Sequence, residues 1–181
     1  MGLQIIFCVE TANKKKSDDI YIRRTVSRFY SIDQSQEKIS MVYMGGKGNY
    51  KSRKVEKEIN RLINQYSSTS KNNRSMVLYC IDCDNFDSDP DAIAFLNGVR
   101  EYCKTKQYRF IWFCRDIEHV FLGKQIRDDQ KTKEAENFAE QRLIERFDVN
   151  KLLATDKENG NYKMGYSNLC SVLDEYLKRK L

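Results

Sequence analysis

Apolar residues along this chain fall into short unbroken runs, separated by longer stretches in which they recur every three or four positions. The first run, Leu3 to Val9, carries no charge and is closed by Glu10. A run of this kind reads as a buried strand. The polar, basic loop Thr11-Ala12-Asn13-Lys14-Lys15-Lys16 follows. Ser17 then reads as an N-cap, with Asp18 and Asp19 suited to the positive end of a helix dipole. Ile22, Val26, Phe29 and Tyr30 stand at helical spacing and predict an amphipathic helix over about residues 18–30.

The alternation then repeats. Lys38 to Met44 is β-prone and stops at Gly45-Gly46-Lys47-Gly48, a tight turn that could also offer backbone N–H groups to a phosphate. Its spacing matches neither the Walker motif nor the dinucleotide fingerprint, and a plain turn is the simpler reading. Val55, Ile59, Leu62, Ile63 and Tyr66 mark one face of a second helix, and Ser67 to Asn73 is a loop. Met76 to Asp84 is a strand ending in Asp82-Cys83-Asp84. Asp89 before Pro90 predicts the start of a third helix, buried through Ala92, Phe95, Leu96, Val99 and Cys103. Tyr108 to Cys114 is a fourth strand, followed by a short helix closed by Gly123. Beyond it come a polar loop over Lys124 to Thr132, a fifth helix through Ala135, Phe138, Ala139, Leu143 and Phe147, and a turn-rich stretch from Thr155 to Asn161. A last helix uses Leu169, Val172, Leu173, Tyr176 and Leu177, with Ser167 as its cap. The order β-α-β-α-β-α-β predicts an α/β fold, Rossmann-like, with a mostly parallel four-stranded sheet covered by helices on both faces. The whole chain, 1–181, reads as a single domain with a core over residues 1–123 and a helical C-terminal extension over 124–181.

Asp82 and Asp84 draw attention because two carboxylates at a strand end repel each other unless a proton or cation intervenes. Strand alternation would point both to one side and Cys83 to the other. Ligands of open α/β sheets sit at the carboxyl ends of the strands. Glu10 ends the first strand, the Asp pair ends the third, and Asp116 and Glu118 follow the fourth, so all of these acids are expected on one sheet edge. A hard divalent cation, Mg2+ with a phosphate-bearing substrate, accounts for such a group; the plainer account has one Asp capping the next turn and the other in water.

Composition narrows the setting. With 40% hydrophobic and 32% charged residues the chain reads as soluble and globular, and its net charge of +6 permits a polyanionic partner without requiring one. No apolar segment approaches the length of a membrane span. Six cysteines are present, but Cys8, Cys80 and Cys114 lie in strand-like runs, and the opening residues read as strand rather than as a secretory leader. A reduced, cytoplasmic location is expected.

A strand ending in Glu10, then Asp82-x-Asp84 after a second βα unit, resembles the Toprim domain of topoisomerases, primases and OLD-type nucleases. Glu118 in a short helix after the next strand, and Tyr162-x-x-Gly165 around Lys163, resemble its small RloB/AbiL-like branch. One departure stands: Thr11-Ala12-Asn13 follow Glu10 where many Toprim proteins have a glycine. The resemblance implies a Mg2+-dependent nuclease, with Mn2+ as a substitute, that cleaves phosphodiester bonds in nucleic acid, DNA in preference to RNA. It also implies an anti-phage defence role beside a separate ATPase, since no Walker motif occurs here. Asp82, Asp84, Glu10 and Glu118 would be the metal ligands, with Asp116 or Asp87 in reserve. Glu10, Asp82, Asp84 and Lys163 would carry the catalysis, Glu10 as acid/base and Lys163 at the scissile phosphate.

Lys14, Lys15, Lys16, Lys47, Lys51 and Arg53, with Lys54 beside them, flank two strand-end loops and could track a nucleic-acid backbone, although surface lysines are equally often only solvated. His119 is expected to be structural, and Cys80-x-x-Cys83 lacks the second pair a zinc site needs. The rival readings are a non-catalytic Toprim-like module that binds nucleic acid or a partner, and an Asp-x-Asp nucleotide-sugar transferase. A haloacid-dehalogenase-type phosphatase fits less well, because its Asp-x-Asp belongs on the first strand.

Overall fold

The computed structural model describes residues 2–155 and 162–180. Most of the turn-rich stretch expected before Tyr162 therefore lies outside the described residues. Strands β1 (Leu3–Val9), β2 (Tyr30–Ser31), β3 (Glu37–Tyr43), β4 (Arg74–Asp82), β5 (Arg109–Cys114), β6 (Tyr166–Ser167) and β7 (Lys178–Arg179) alternate with helices α1 (Ser17–Phe29), α2 (Arg53–Ser67), α3 (Pro90–Lys106), α4 (Ile117–Leu122), α5 (Lys131–Glu140) and α6 (Leu169–Leu173). The main sheet runs β3-β1-β4-β5-β6. Its first four strands are parallel, with Ile5 opposite Ile39 and Met76, and Cys80 opposite Ile111. The fold is thus α/β with a mostly parallel sheet, as the alternating pattern predicts.

Both faces of the sheet are covered, which is why its strands are continuously apolar. Leu3, Ile5, Phe7 and Val9 pack with α1, α4, α5 and α6 on one side. Ile6, Cys8, Val77, Tyr79 and Ile81 pack with α2 and α3 on the other. On the first face Tyr21 and Phe121 stack at 5.0 Å between ring centroids, with Phe138 against both. The pattern of α2 is the clearest in the chain: Val55, Ile59 and Leu62 are buried while its charges face water. The start of α3 is also as expected, since Asp89 Oδ1 accepts from the Asp91 N–H at 2.9 Å with Pro90 in the first turn.

Several expectations change. The sheet has a fifth strand among the described residues, because β6 pairs antiparallel with β5, Phe113 opposite Ser167 and Cys114 opposite Tyr166. Without it β5 would present unpaired N–H and C=O groups along an apolar edge. Asn168 extends this closure with its side chain: Oδ1 accepts from the Trp112 N–H at 2.9 Å and Nδ2 donates to the Phe110 carbonyl at 3.0 Å. Ser167 lies on a strand and is not the cap of the next helix: Asn168 holds that position, and the Ser167 Oγ accepts from the Leu169 N–H at 3.1 Å in the turn before it. That helix stops at Leu173, so Tyr176 and Leu177 lie beyond it, and the chain turns to pair β7 with β2.

The fifth helix ends at Glu140, because Arg142 adopts a left-handed backbone with φ 51°. Leu143 and Phe147 consequently leave the helix, and Phe147 folds back onto Phe121 at 4.8 Å. At the other end Ser17 is the first residue of α1 rather than its cap, and left-handed Lys16 occupies the flanking position. The segment after residue 123 carries strands as well as helices and packs into the same core as β1 and α1. All six cysteines are buried free thiols, with Cys80 and Cys83 on opposite sides of the sheet.

Asn168 is wholly buried and makes both of these backbone bonds, so Asn168→Ala is expected to destabilise the protein by about 2–4 kcal/mol in urea unfolding. Asn168→Asp is expected to lose nearly as much, because the Phe110 carbonyl then has no donor and a carboxylate is buried.

Candidate active site at the strand ends

The connections dictate where this sheet opens. From β1 the chain crosses to β3 with α1 on one face; from β4 it crosses to β5 with α3 on the opposite face. Strand order therefore reverses between β1 and β4, and ligands of doubly wound sheets bind in the crevice formed at that point. Glu10 follows β1 directly and Asp82 is the last residue of β4.

The two acids are joined there. Glu10 Oε1 accepts from the Asp82 N–H at 2.7 Å. Asp82 Oδ1 in turn accepts from the Ile117 N–H at 3.0 Å, tying β4 to the start of α4. Asp116 caps α4, its Oδ1 accepting from the His119 N–H at 2.7 Å. Glu118, two residues on, is 0% exposed. Lys131 Nζ stands 3.2 Å from Glu118 Oε2 and 3.8 Å from Asp116 Oδ2, close enough for charge attraction. Asp18 closes the group from α1, accepting from the Thr11 N–H at 3.2 Å and from Ser17 Oγ at 3.2 Å.

Burial and mutual repulsion set the protonation of these groups. Loss of water pushes the Glu10 carboxyl up to about 8; Asp18 and Asp84 add to the rise, while the Asp82 N–H and Lys47 oppose it. Asp82 is raised well above the usual carboxylate range by burial, with Glu10, Asp18, Glu118 and Asp116 all acting in the same sense. Burial lifts Glu118 to about 7, against the pull of Lys131. Asp18 is raised by the same desolvation.

Asp84 differs. Strand geometry ends at Asp82, and Asp84 is reached through a left-handed backbone with φ 47°, its N–H donating to the Arg115 carbonyl at 2.7 Å. The pair is thus not held by simple strand alternation. Asp84 sits at the rim, ion-paired with Lys47. Gly45 and Gly46, at φ 69° and 122°, turn the chain so that the Gly46 N–H donates to the Glu10 carbonyl at 2.8 Å, which brings Lys47 over the acids. The glycine turn is not the N-terminus of α2: Ser52 caps that helix, Oγ accepting from the Val55 N–H at 3.3 Å.

The other expected residues are dispersed. Lys14, Lys15 and Lys16 are exposed on the β1–α1 loop, and Lys51 and Arg53 are exposed at the approach to α2. Lys163 lines a separate cleft with Trp112 and Tyr166, its Nζ 3.6 Å from the Tyr166 ring centroid. Asp87 pairs with Arg115 at 3.5 Å. His119 has a buried Nδ1 without a partner. Among the described residues, no three His, Cys, Asp or Glu side chains converge on a metal-holding geometry in this conformation. Glu10 and Asp82 each spend an oxygen on a backbone N–H, and lysines occupy Asp84 and Glu118.

Asp18, Lys131 and Arg115 are members of the site that the sequence pattern did not single out. Asp18 was legible only as a helix-start acid, and nothing local marks Lys131, whose role comes from the packing of α5 on α1. The site is a desolvated acid group at the switch point of a doubly wound sheet. Comparison with family models, curated proteins and solved structures finds no match for this chain.

A carboxyl with a higher pKa folded than unfolded holds its proton more tightly in the native state. That stabilisation is fully present below the ordinary value of 4.5 and is lost as pH rises through about 7 for Glu118 and about 8 for Glu10. Without divalent cations, unfolding free energy is expected to fall from pH 4.5 to 8. Glu10→Gln retains the acceptor for the Asp82 N–H, so it is expected to match the unsubstituted protein at pH 4 and exceed it by about 1–3 kcal/mol above pH 8, read by urea titration across pH.

Proposed function

We propose that the chain is a Mg2+-dependent nuclease of the Toprim kind, hydrolysing phosphodiester bonds in nucleic acid, with Mn2+ as a substitute and DNA as the favoured substrate. One observation carries this reading: Glu10, Asp82 and Glu118 are desolvated together at the ends of β1, β4 and β5, with Lys131, 3.2 Å from Glu118 Oε2, as the cation among them. Buried carboxylates that raise one another's pKa are a poor arrangement for stability alone, and a divalent cation relieves the repulsion.

The donor set fits a hard cation, being all carboxylate. Asp82, Asp84 and Glu10 would hold it, with Glu118 and Asp116 for a second. When bound, such ions supply Lewis-acid polarisation of phosphoryl oxygens and an activated water. The chain's own groups do the rest. The Ile117 N–H fixes the orientation of Asp82, and the Asp82 N–H fixes that of Glu10. Glu10 is suited to exchange a proton with water or a leaving oxygen. Lys47, at the rim, is better placed than Lys163 to offset phosphate charge. A separate ATPase partner in a defence system belongs to the same proposal.

A second reading draws on the lysines. Lys131 and Lys47 already neutralise Glu118, Asp116 and Asp84 from within, as in a module that binds nucleic acid or a partner without metal.

Two measurements separate the readings. Plasmid DNA, linear single strands and RNA incubated with Mg2+ or Mn2+ are expected to be cut, with Asp82→Asn and Glu10→Gln each lowering the rate about a hundredfold or more. The melting temperature is expected to rise with Mg2+ in the unsubstituted protein and not in Asp82→Asn. Retained nucleic-acid binding, with no cleavage and no response to any divalent ion, overturns the nuclease in favour of the module.

A further inference from the structure

Beside the acids lies a cleft of about 460 Å³, within the size range of small-ligand sites, bordered by Lys47, Asp84, Phe95, Arg115, Asp116 and Gln125. Its chemistry is mixed in a specific way. Two cations line it, Lys47 from the glycine turn after β3 and Arg115 from the turn after β5. The ring of Phe95, on α3, lines the cleft with them, and Lys47 Nζ lies over it, 5.3 Å from its centroid. Tyr50 packs against that ring in a T-shaped pair, with centroids 5.7 Å apart and planes at 90°.

Arg115 is under-bonded. Its ion pair with Asp87 is 3.5 Å long, and its Nε–H is shut off from water without an acceptor. A guanidinium in that state gains by turning toward an anion that enters the cleft. Its backbone fixes it beside the acids, since the Arg115 carbonyl accepts from the Asp84 N–H.

We propose that this cleft seats one unpaired nucleotide of the substrate, with its phosphate between Lys47 and Arg115 and its base on the face of Phe95. The proposal rests on the reading of the acid group as a phosphodiester-hydrolysing centre, and it adds a substrate class: single-stranded ends or segments. In a duplex both faces of an internal base are covered by its neighbours, so only an unstacked base can lie on Phe95. The carboxylates Asp84, Asp89, Asp91 and Asp116 also line the cleft and repel a bare phosphate. Nucleotide affinity is therefore tied to a divalent cation that neutralises the acid side and frees Lys47 from Asp84.

The test uses the full chain with Ca2+ to suppress cleavage, and calorimetric titration with thymidine 3′,5′-bisphosphate, thymidine and inorganic phosphate. The bisphosphate is expected to bind about tenfold or more tightly than either of the others. Lys47→Gln and Arg115→Gln are each expected to weaken it about tenfold. Phe95→Leu is expected to weaken the bisphosphate about fivefold or more and leave inorganic phosphate unchanged. A single-stranded oligonucleotide is expected to displace the bisphosphate, and a blunt duplex of the same sequence is not. Equal binding of phosphate and bisphosphate overturns the proposal, as does indifference to Arg115→Gln and Phe95→Leu in variants that melt normally. Displacement by the duplex as effective as by the single strand overturns the unpaired-nucleotide assignment. Stabilisation by Mg2+ without nucleotide binding removes this site and leaves the nuclease reading standing. Nucleotide binding of equal strength in EDTA keeps the site and removes the metal-dependent reading.

Discussion

Five carboxyl groups, those of Glu10, Asp18, Asp82, Asp116 and Glu118, are held largely out of water within one crevice, and their shared burial is the constraint around which the surrounding structure is arranged. The acids come from the end of β1, the start of α1, the end of β4 and the start of α4, so the crowding is a product of topology. Glu10 and Asp82 meet because β1 and β4 are neighbours in the sheet although 72 residues separate the two side chains. Repulsion among like charges in a low-dielectric setting is opposed in two ways. Backbone N–H groups of Asp82, Ile117 and Thr11 take one oxygen each from Glu10, Asp82 and Asp18. Lysines arrive from the two flanks, Lys47 at the rim and Lys131 at the base. Glu118, wholly buried, depends on the Lys131 ammonium, 3.2 Å from its Oε2, for that compensation.

The C-terminal segment is tied to that constraint more closely than an appendage would be. Helix α5 delivers Lys131 to Glu118 and Asp116, and its Phe138 packs with Tyr21 and Phe121 behind the acids. Strand β6 and the Asn168 side chain finish the hydrogen bonding of β5, the strand that leads into Arg115 and Asp116. Packing on the far side of the site and the positions of the charges within it therefore depend on the same residues.

The pair Asp82-Cys83-Asp84 divides its duties. Asp82 belongs to the buried group and is locked by the Ile117 N–H, whereas Asp84 stands at the mouth, half-exposed and held by Lys47. A left-handed backbone at Asp84 makes this division, turning the second acid out of the strand line toward the cleft that Phe95 and Arg115 share. Buried acids, a rim acid and two cations that line one cleft with an aromatic ring are the features on which the proposed nucleotide site rests.

The hydrophobic pattern alone determined the α/β alternation and the helix faces of α2 and α3, and it put Glu10, Asp82, Asp116 and Glu118 at strand ends. These are local matters, governed by side-chain periodicity and capping: Asp89 before Pro90 and Gly123 after Leu122 behave as their chemistry requires. Local rules failed where a distant contact was decisive. Left-handed Arg142 ends α5 so that Phe147 can reach Phe121, and the Tyr166–Ser167 stretch becomes a strand because β5 has an open edge. The motif alone does not place Lys163, whose Nζ lies over the Tyr166 ring, while Lys131 and Arg115, unmarked in the sequence, lie beside the acids. Residue types and spacing determined which groups stand at the ends of strands. Only the strand order and the packing of α5 decided which of them share one desolvated crevice, because charge interaction depends on distance and burial.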